Sequence, residues 1–137
     1  MKILITGGAG FIGSNFIKYI LKKYPDYQII NLDKLTYCGN LDNLRDIEND
    51  PRYQFIKGDI CDSNLVDKII SQKPEVVVNF AAESHVDRSI LDSNPFLKTN
   101  ILGTYTLLET VKKYRIGRFI QISTDEVYGS INEDSFR

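Results

Sequence analysis

One glycine-rich segment near the start of the chain decides the fold, Thr6-Gly7-Gly8-Ala9-Gly10-Phe11-Ile12-Gly13. The apolar run Ile3-Leu4-Ile5 before it predicts a strand, and a helical pattern follows it from Phe11 until Pro25 ends it. Glycines at this spacing let a backbone turn tightly and approach a pyrophosphate, while the helix N-terminus offers N–H groups and a positive dipole end. The segment therefore predicts a strand–loop–helix unit that binds a dinucleotide.

An acidic residue stands at the end of the second predicted strand, which runs from Gln28 to Leu32. This residue, Asp33, follows Gly13 by twenty positions. A carboxylate there can accept hydrogen bonds from both ribose hydroxyls and would repel a 2′-phosphate, which favours NAD over NADP. The cationic Lys34 beside it weighs against that preference. The alternative is a glycine turn that binds no ligand, with Asp33 as a capping residue. The complete context of strand, loop, helix and acid favours the dinucleotide site over this alternative.

Short β-branched runs alternate with longer helical patterns along the rest of the chain. Strands are predicted at 53–57, 76–80 and 118–122, and helices at 41–48, from Asp62 or Ser63 to 72, and at 95–114. The order βαβαβαβαβ predicts an α/β fold, a doubly wound parallel sheet of the Rossmann type, in one domain over residues 1–137. The first helix is predicted to bury a stripe of apolar residues, namely Ile12, Phe16, Ile20 and Tyr24.

Composition excludes several classes of function. The net charge of −1 offers no basic surplus for a nucleic acid or a membrane surface, and no apolar run is long enough to span a bilayer. Two separated cysteines, Cys38 and Cys61, and a start without a secretory signal predict reduced thiols and a cytoplasmic protein. The single histidine, His85, gives no metal-binding pattern, and by itself it is predicted to be structural.

Three further strand ends carry polar or small residues whose roles the pattern leaves open. Asp59, in the segment 58–60, can reach an adenine amino group or simply form a Gly-Asp turn. The small residues in 80–84 leave room for a cofactor or let a strand and a helix pack closely. Asp125 and Glu126, after the fifth strand, are on spacing alone more typical of a solvated turn than of a catalytic pair.

Together these motifs resemble the extended short-chain dehydrogenase/reductase family. Within it, three segments are similar to the nucleotide-sugar 4,6-dehydratases: residues 33–40 (Asp-Lys-Leu-Thr-Tyr-Cys-Gly-Asn), 83–90 (Glu-Ser-His-Val-Asp-Arg-Ser-Ile) and 123–129 (Ser-Thr-Asp-Glu-Val-Tyr-Gly). The resemblance covers the whole chain, but only the first part of such an enzyme. We therefore expect an N-terminal fragment or a truncated gene product without the substrate domain.

The resemblance implies specific roles for residues of this chain. The implied substrate is a nucleotide sugar, with dTDP-glucose expected, contacted by Ser84 and Thr124. A homodimer through the helix 94–114 is implied for the full-length form. The implied NAD contacts are Gly7, Gly10, Phe11, Ile12, Gly13, Asp33, Lys34, Leu35, Thr36, Asp59, Ile60, Phe80, Ala81, Ala82, Glu83, Ser84 and Thr99.

The implied reaction oxidises C4 of the glucose, eliminates water across C5–C6 and returns the hydride to C6. A C4 carbonyl acidifies the C5 proton, which Glu126 would remove as a base. A neutral Asp125 would protonate the leaving C6 hydroxyl, and Thr124 would polarise the C4 oxygen. Adjacent carboxylates with opposite roles require surroundings that split their pKa values.

The Tyr-x-x-x-Lys pair of the family is absent from its expected place in this chain. The family oxidises C4 with a Tyr-x-x-x-Lys pair on a helix after the fifth strand, whereas Tyr19 and Lys23 have this spacing on the first helix. We therefore expect the chain alone to bind NAD weakly with little turnover. The alternatives are a dehydratase of UDP- or GDP-sugars, a 4-epimerase, which usually has small or neutral residues at the Asp125-Glu126 positions, and a non-catalytic NAD-binding remnant.

Overall fold

Five parallel strands form one sheet in the order β3-β2-β1-β4-β5 in the computed structural model, which describes residues 1–129 apart from the side chains of Asp125 and Glu126. The strands are β1 Lys2–Thr6, β2 Gln28–Asp33, β3 Tyr53–Lys57, β4 Val76–Asn79 and β5 Arg118–Gln121. The chain leaves the central β1 toward β2 and β3, then crosses back to β4 and β5. This reversal confirms the predicted doubly wound topology, in which ligands bind beyond the carboxyl ends of the strands at the switch point.

Four helices cross between the strands: α1 Phe11–Lys23, α2 Ser63–Ile70, α3 Val86–Leu91 and a composite helix. The composite helix, α4, joins the α-helical Asn94–Phe96, the π-helical Leu97–Gly103 and the α-helical Thr104–Tyr114 without a break. Leu41–Ile47 and Asp125–Tyr128 form 3-10 turns. Asp62 caps α2 by accepting hydrogen bonds from two backbone N–H groups, as its sequence position predicts. None of the described helices is long and apolar enough to cross a membrane.

Two apolar layers cover the two faces of the sheet. On one face Ile17, Ile20 and Leu21 of α1 pack against β1, β2 and β4. On the other face α2 and α4 bury their apolar sides against Leu4, Ile30 and Val77 of the strands, with Leu107 at the centre. Because each central strand contributes to both layers, β4 is buried throughout, as its continuous apolar run predicts.

The buried stripe of α1 differs from the predicted one. Its buried residues are Gly13, Ser14, Ile17, Ile20 and Leu21, whereas Ile12 is 62% exposed. The first turn of α1 lies at the carboxyl edge of the sheet, where Ile12 borders an open cleft instead of a strand. The helical period is correct, and the predicted face is wrong at its N-terminal end.

Candidate functional site

A cleft of about 420 Å³ opens at the carboxyl ends of the strands. All the predicted cofactor residues except Leu35 line it, and so does Thr124. They come from the glycine loop, the ends of β2, β3 and β4, the middle of α4 and the segment after β5. The predicted residues in its wall are Gly7, Gly10, Phe11, Ile12, Gly13, Asp33, Lys34, Thr36, Asp59, Ile60, Phe80, Ala81, Ala82, Glu83, Ser84, Thr99 and Thr124.

Leu35 is the predicted cofactor residue that lies elsewhere. Its backbone adopts a φ of 56°, and its side chain packs against the apolar layer of α1. Its N–H group donates a hydrogen bond of 2.8 Å to Asp33. Leu35 therefore anchors the loop after β2 to the core, because the turn directs its side chain inward.

Lack of space for a side chain, more than a need for flexibility, explains two of the three loop glycines that line the cleft, which are Gly7, Gly10 and Gly13. A Cβ on Gly7, whose φ is 69°, would lie 2.6 Å from the backbone nitrogen of Ala81, and one on Gly13 would lie 2.5 Å from the carbonyl oxygen of Gly7. Gly8 has a different role: a Cβ there would overlap the buried amide of Asn31, which accepts a hydrogen bond from the Gly8 N–H. The loop consequently presents bare backbone to the cleft, as contact with a pyrophosphate requires.

Asp33 is 8% exposed, and its carboxylate already holds the loop in place. One oxygen accepts the N–H of Ala9 at 2.8 Å, and the other accepts the N–H of Leu35 at the same distance. Since each carboxylate oxygen can accept two hydrogen bonds, both keep acceptor capacity. The residue predicted to bind ribose is therefore also the residue that fixes the glycine loop against β2.

Lys34 and Asp59 form an ion pair across the cleft wall, with Lys34 Nζ 2.6 Å from Asp59 Oδ2. The other oxygen of Asp59 accepts the N–H of Cys61 at 3.0 Å. Burial alone would raise the pKa of Asp59, but the hydrogen bonds from Lys34 and Cys61 offset it and hold the pKa below its ordinary value. The hydrogen bond to Asp59 raises the pKa of Lys34, so both groups are charged at neutral pH.

Two long-range contacts hold the loop after β4 beside the cleft. The Asn100 side chain accepts the Glu83 N–H at 2.9 Å and donates to the Glu83 carbonyl at 2.8 Å. Asn100 belongs to the π-helical segment of α4, a geometry that recurs at functional sites, and its neighbour Thr99 lines the cleft. The Arg88 guanidinium, in the helix α3 that follows this loop, stacks 3.8 Å from the ring centroid of Tyr37 and so links α3 to the loop after β2.

Hydrogen-bonded side chains connect β1 through β4 to the end of β5. Thr6 donates a hydrogen bond to the Asn79 side chain, whose amide nitrogen donates to Gln121 at 2.8 Å. Directly after Gln121 the chain enters the cleft wall at Ile122, and Thr124, two positions further on, is exposed there. The side chains of Asp125 and Glu126, the predicted acid and base, lie outside the part of the chain that the structure describes.

Other chemically notable residues lie away from the cleft wall. His85 precedes α3 and is exposed. The Tyr-x-x-x-Lys spacing occurs at Tyr19 with Lys23 in α1 and, as a second match, at Tyr53 with Lys57 in β3. None of these residues is in the described cleft lining.

Several lining residues were not predicted, namely Leu32, Cys38, Gly39, Gly58, Ile122 and Ser123. Gly39, Gly58 and Ser123 stand inside or beside the quoted motifs, so motif membership was an available signal. Leu32 and Ile122 carry no such signal, because an apolar residue at a strand end predicts core packing.

Comparison with known proteins gives a consistent relationship. The family described as GDP-mannose 4,6 dehydratase matches residues 4–137. The low-salt glycan biosynthesis protein Agl12 of Haloferax volcanii is 52% identical over 99% of this chain and 43% of its own length. The dTDP-glucose 4,6-dehydratase of Haemophilus influenzae is 51% identical over 99% of this chain and 44% of its own length.

A solved structure extends the likeness to three dimensions. DesIV, a dTDP-glucose 4,6-dehydratase from Streptomyces venezuelae solved with NAD bound, matches 99% of this chain and 43% of its own, with 48% identity and a TM-score of 0.93. This chain thus spans less than half the length of the relatives it matches. Because the family match covers nearly every residue, the predicted resemblance is confirmed, and the chain belongs to the family described as GDP-mannose 4,6 dehydratase, within the extended short-chain dehydrogenases/reductases.

Proposed function

We propose that residues 1–137 form the NAD-binding domain of a nucleotide-sugar 4,6-dehydratase that acts on dTDP-glucose. The observation that carries the proposal is the convergence of the glycine loop, Asp33 and the small residues after β4 on one cleft. Methyl groups on Gly7 or Gly13 would overlap backbone atoms in the loop and at the end of β4, so the wall is built for close backbone approach. About half of all positions match relatives named dTDP-glucose 4,6-dehydratase.

The residues divide the binding task. The first turn of α1 would receive the pyrophosphate, because its N–H groups have no earlier helical partners and, among residues 1–129, no side chain caps it. Asp33 would accept the ribose hydroxyls, and Phe80, Ala81 and Thr99 would border the rest of the dinucleotide. When bound, NAD would supply the acceptor and later the donor of a hydride.

The chemistry on the sugar is assigned to the segment after β5. Thr124 lies in the cleft wall, where its hydroxyl can donate a hydrogen bond to the sugar O4, and Ser84 faces the same cleft. We assign Glu126 as the base for the C5 proton and Asp125 as the acid for the departing C6 hydroxyl. Two adjacent carboxyl groups suit a dehydration, which needs both roles, better than an epimerisation.

Two further parts of the proposal concern assembly and location. The exposed face of α4 would pair with the same face of a second copy in the full-length protein, giving a homodimer. Free thiols at Cys38 and Cys61 suit the reducing cytoplasm, which we propose as the site of action.

Calorimetric titration with NAD tests the binding site. We expect saturable binding by the unaltered chain, about tenfold weaker binding by Asp33→Asn, and no change in Asp26→Asn. Asp26→Asn is the matched control because it removes one carboxylate at an exposed turn before β2, far from the cleft. The site assignment fails if the unaltered chain does not bind NAD or if both variants bind it equally.

Turnover of dTDP-glucose tests the activity in a protein extended to the full length of its relatives. Release of a 4-keto-6-deoxy sugar is expected, with loss of about a hundredfold in kcat for Glu126→Gln. UDP-glucose and GDP-mannose serve as competing substrates, and faster turnover of either one would reject dTDP-glucose as the substrate. Turnover unchanged in Glu126→Gln would reject the assignment of the base.

A further inference from the structure

The ion pair between Lys34 and Asp59 lies in the part of the cleft wall that would face the adenosine ribose, which is the group by which NAD and NADP differ. NAD and NADP differ only in a phosphate on the 2′ oxygen of the adenosine ribose, which the acid at the end of β2 contacts in this fold. Lys34 directly follows that acid and lines the cleft. An unpaired ammonium in this position would attract a 2′-phosphate, as basic residues do in NADP sites.

Asp59 is the fixed member of the pair. Its side chain is 31% exposed, against 56% for Lys34, and the Cys61 N–H holds its other oxygen. The flexible lysine side chain is therefore drawn toward the end of β3, and its charge is neutralised at a distance of 2.6 Å. Asp33 then remains as the uncompensated charge among these three groups.

We propose that Asp59 is a specificity residue that holds Lys34 and so denies the 2′-phosphate of NADP its cationic partner. The inference rests on the proposed NAD site and adds a second determinant of cofactor choice to Asp33. It also explains how a chain with a lysine directly after the ribose-binding acid can keep a preference for NAD.

A double-mutant cycle separates this coupling from the general effect of removing a negative charge. Asp59→Asn frees Lys34 and keeps an acceptor oxygen for the Cys61 N–H, so the turn is retained. Lys34→Gln removes the cation that would be freed. If Asp59 acts through Lys34, Asp59→Asn changes cofactor choice only while Lys34 is present, whereas a charge effect alone persists in both backgrounds.

The experiment titrates the chain with NAD and with NADP at low ionic strength, and the readout is the ratio of the two dissociation constants. We expect Asp59→Asn to shift this ratio about tenfold toward NADP, and the double variant to match Lys34→Gln within about twofold. Any change in adenine contacts affects both cofactors and cancels in the ratio. Asp59→Ser, whose hydroxyl can accept the same N–H, repeats the test if Asp59→Asn does not fold.

Three outcomes would overturn the inference. An unchanged ratio in Asp59→Asn, or an equal shift with and without Lys34, rejects the role of Asp59 while the NAD site stands. No binding of NAD by the unaltered chain rejects the site itself and the inference with it.

Discussion

At the scale of single residues, two glycines of the loop differ in what surrounds them. A Cβ on Gly13 would lie 2.5 Å from the Gly7 carbonyl oxygen and 2.8 Å from the Gly8 Cα, and neither backbone atom can move without distorting the loop. A Cβ on Gly10 would meet only the Gly7 oxygen, at 3.3 Å. Both positions line the cleft, so substitutions at the two positions separate effects on folding stability from effects on ligand binding.

We predict that Gly13→Ala lowers the free energy of unfolding by about 2 kcal/mol, the usual cost of overpacking, and that Gly10→Ala lowers it by less than half as much. Urea denaturation followed by circular dichroism measures both. NAD affinity is expected to fall in Gly10→Ala although the fold is kept, because the added methyl group lies in the cleft wall. Equal loss of stability in the two variants would contradict this account of the loop.

At the scale of elements, one arginine fastens the end of α1 to the start of β3. Arg52 Nη1 donates hydrogen bonds to the carbonyls of Leu21, Tyr24 and Pro25, at 3.0 to 3.4 Å. Asp50 orients the guanidinium through Nη2, at 2.6 Å, and through Nε, at 3.0 Å. The arrangement satisfies carbonyls that a helix C-terminus leaves without partners.

We predict that Arg52→Met lowers the melting temperature by a few degrees at neutral pH, because these carbonyls lose their donor. The hydrogen bond from Arg52 lowers the pKa of Asp50 below its ordinary value of 3.8. The stabilisation that the ionised Asp50 gives through Arg52 is therefore complete at pH values above 3.8, and it is lost as the pH falls through the lower pKa of Asp50 in the folded state. Thermal melts from neutral pH downward should show that the difference in melting temperature between the unaltered protein and Arg52→Met narrows below about pH 3.8. A constant gap would exclude Asp50 as the orienting group.

How far the sequence predicts an element depends on whether its signal is local. The five strands and the helices α1, α2 and α4 are predicted within a few residues, because their burial imposes a period that the sequence must display. Helix α3 is not predicted, because none of its six residues is buried and no apolar stripe marks it. The predicted buried face of α1 is wrong at Ile12, because helical periodicity does not show where a helix extends beyond the edge of the sheet.

The site shows the same division. Motif spacing places Gly7, Asp33 and Ala81 in one wall because the carboxyl ends of parallel strands share an edge. The hydrogen bonds between Asn100 and Glu83 join residues that lie 17 positions apart, and the stacking of Arg88 on Tyr37 joins residues that lie 51 positions apart. No local sequence pattern marks either contact. Such contacts follow from the packed chain, so a single sequence does not reveal them.

At the scale of the whole molecule, α4 has two apolar sides. One side is buried against the sheet through Leu107 and Val111. The opposite side carries a stripe at intervals of three or four residues, and its members are between 44% and 62% exposed. The exposed stripe consists of Leu97, Ile101, Tyr105 and Leu108. A continuous apolar stripe on a helix is typical of a surface that a partner covers, and two copies can pair symmetrically through it.

This stripe leads to the prediction for the assembly. We predict that the protein self-associates and that Tyr105→Glu, which places a charge in the middle of the stripe, weakens the association about tenfold or more. Sedimentation equilibrium across a range of concentrations measures the dissociation constant. Gln72→Glu adds the same charge at an exposed position just after α2, and should associate like the unaltered protein. Because Tyr105 points away from the core, the melting temperature should change little at concentrations where both forms are monomeric. A protein that stays monomeric at every concentration, or associates equally with Tyr105→Glu, would show that α4 does not form the homodimer.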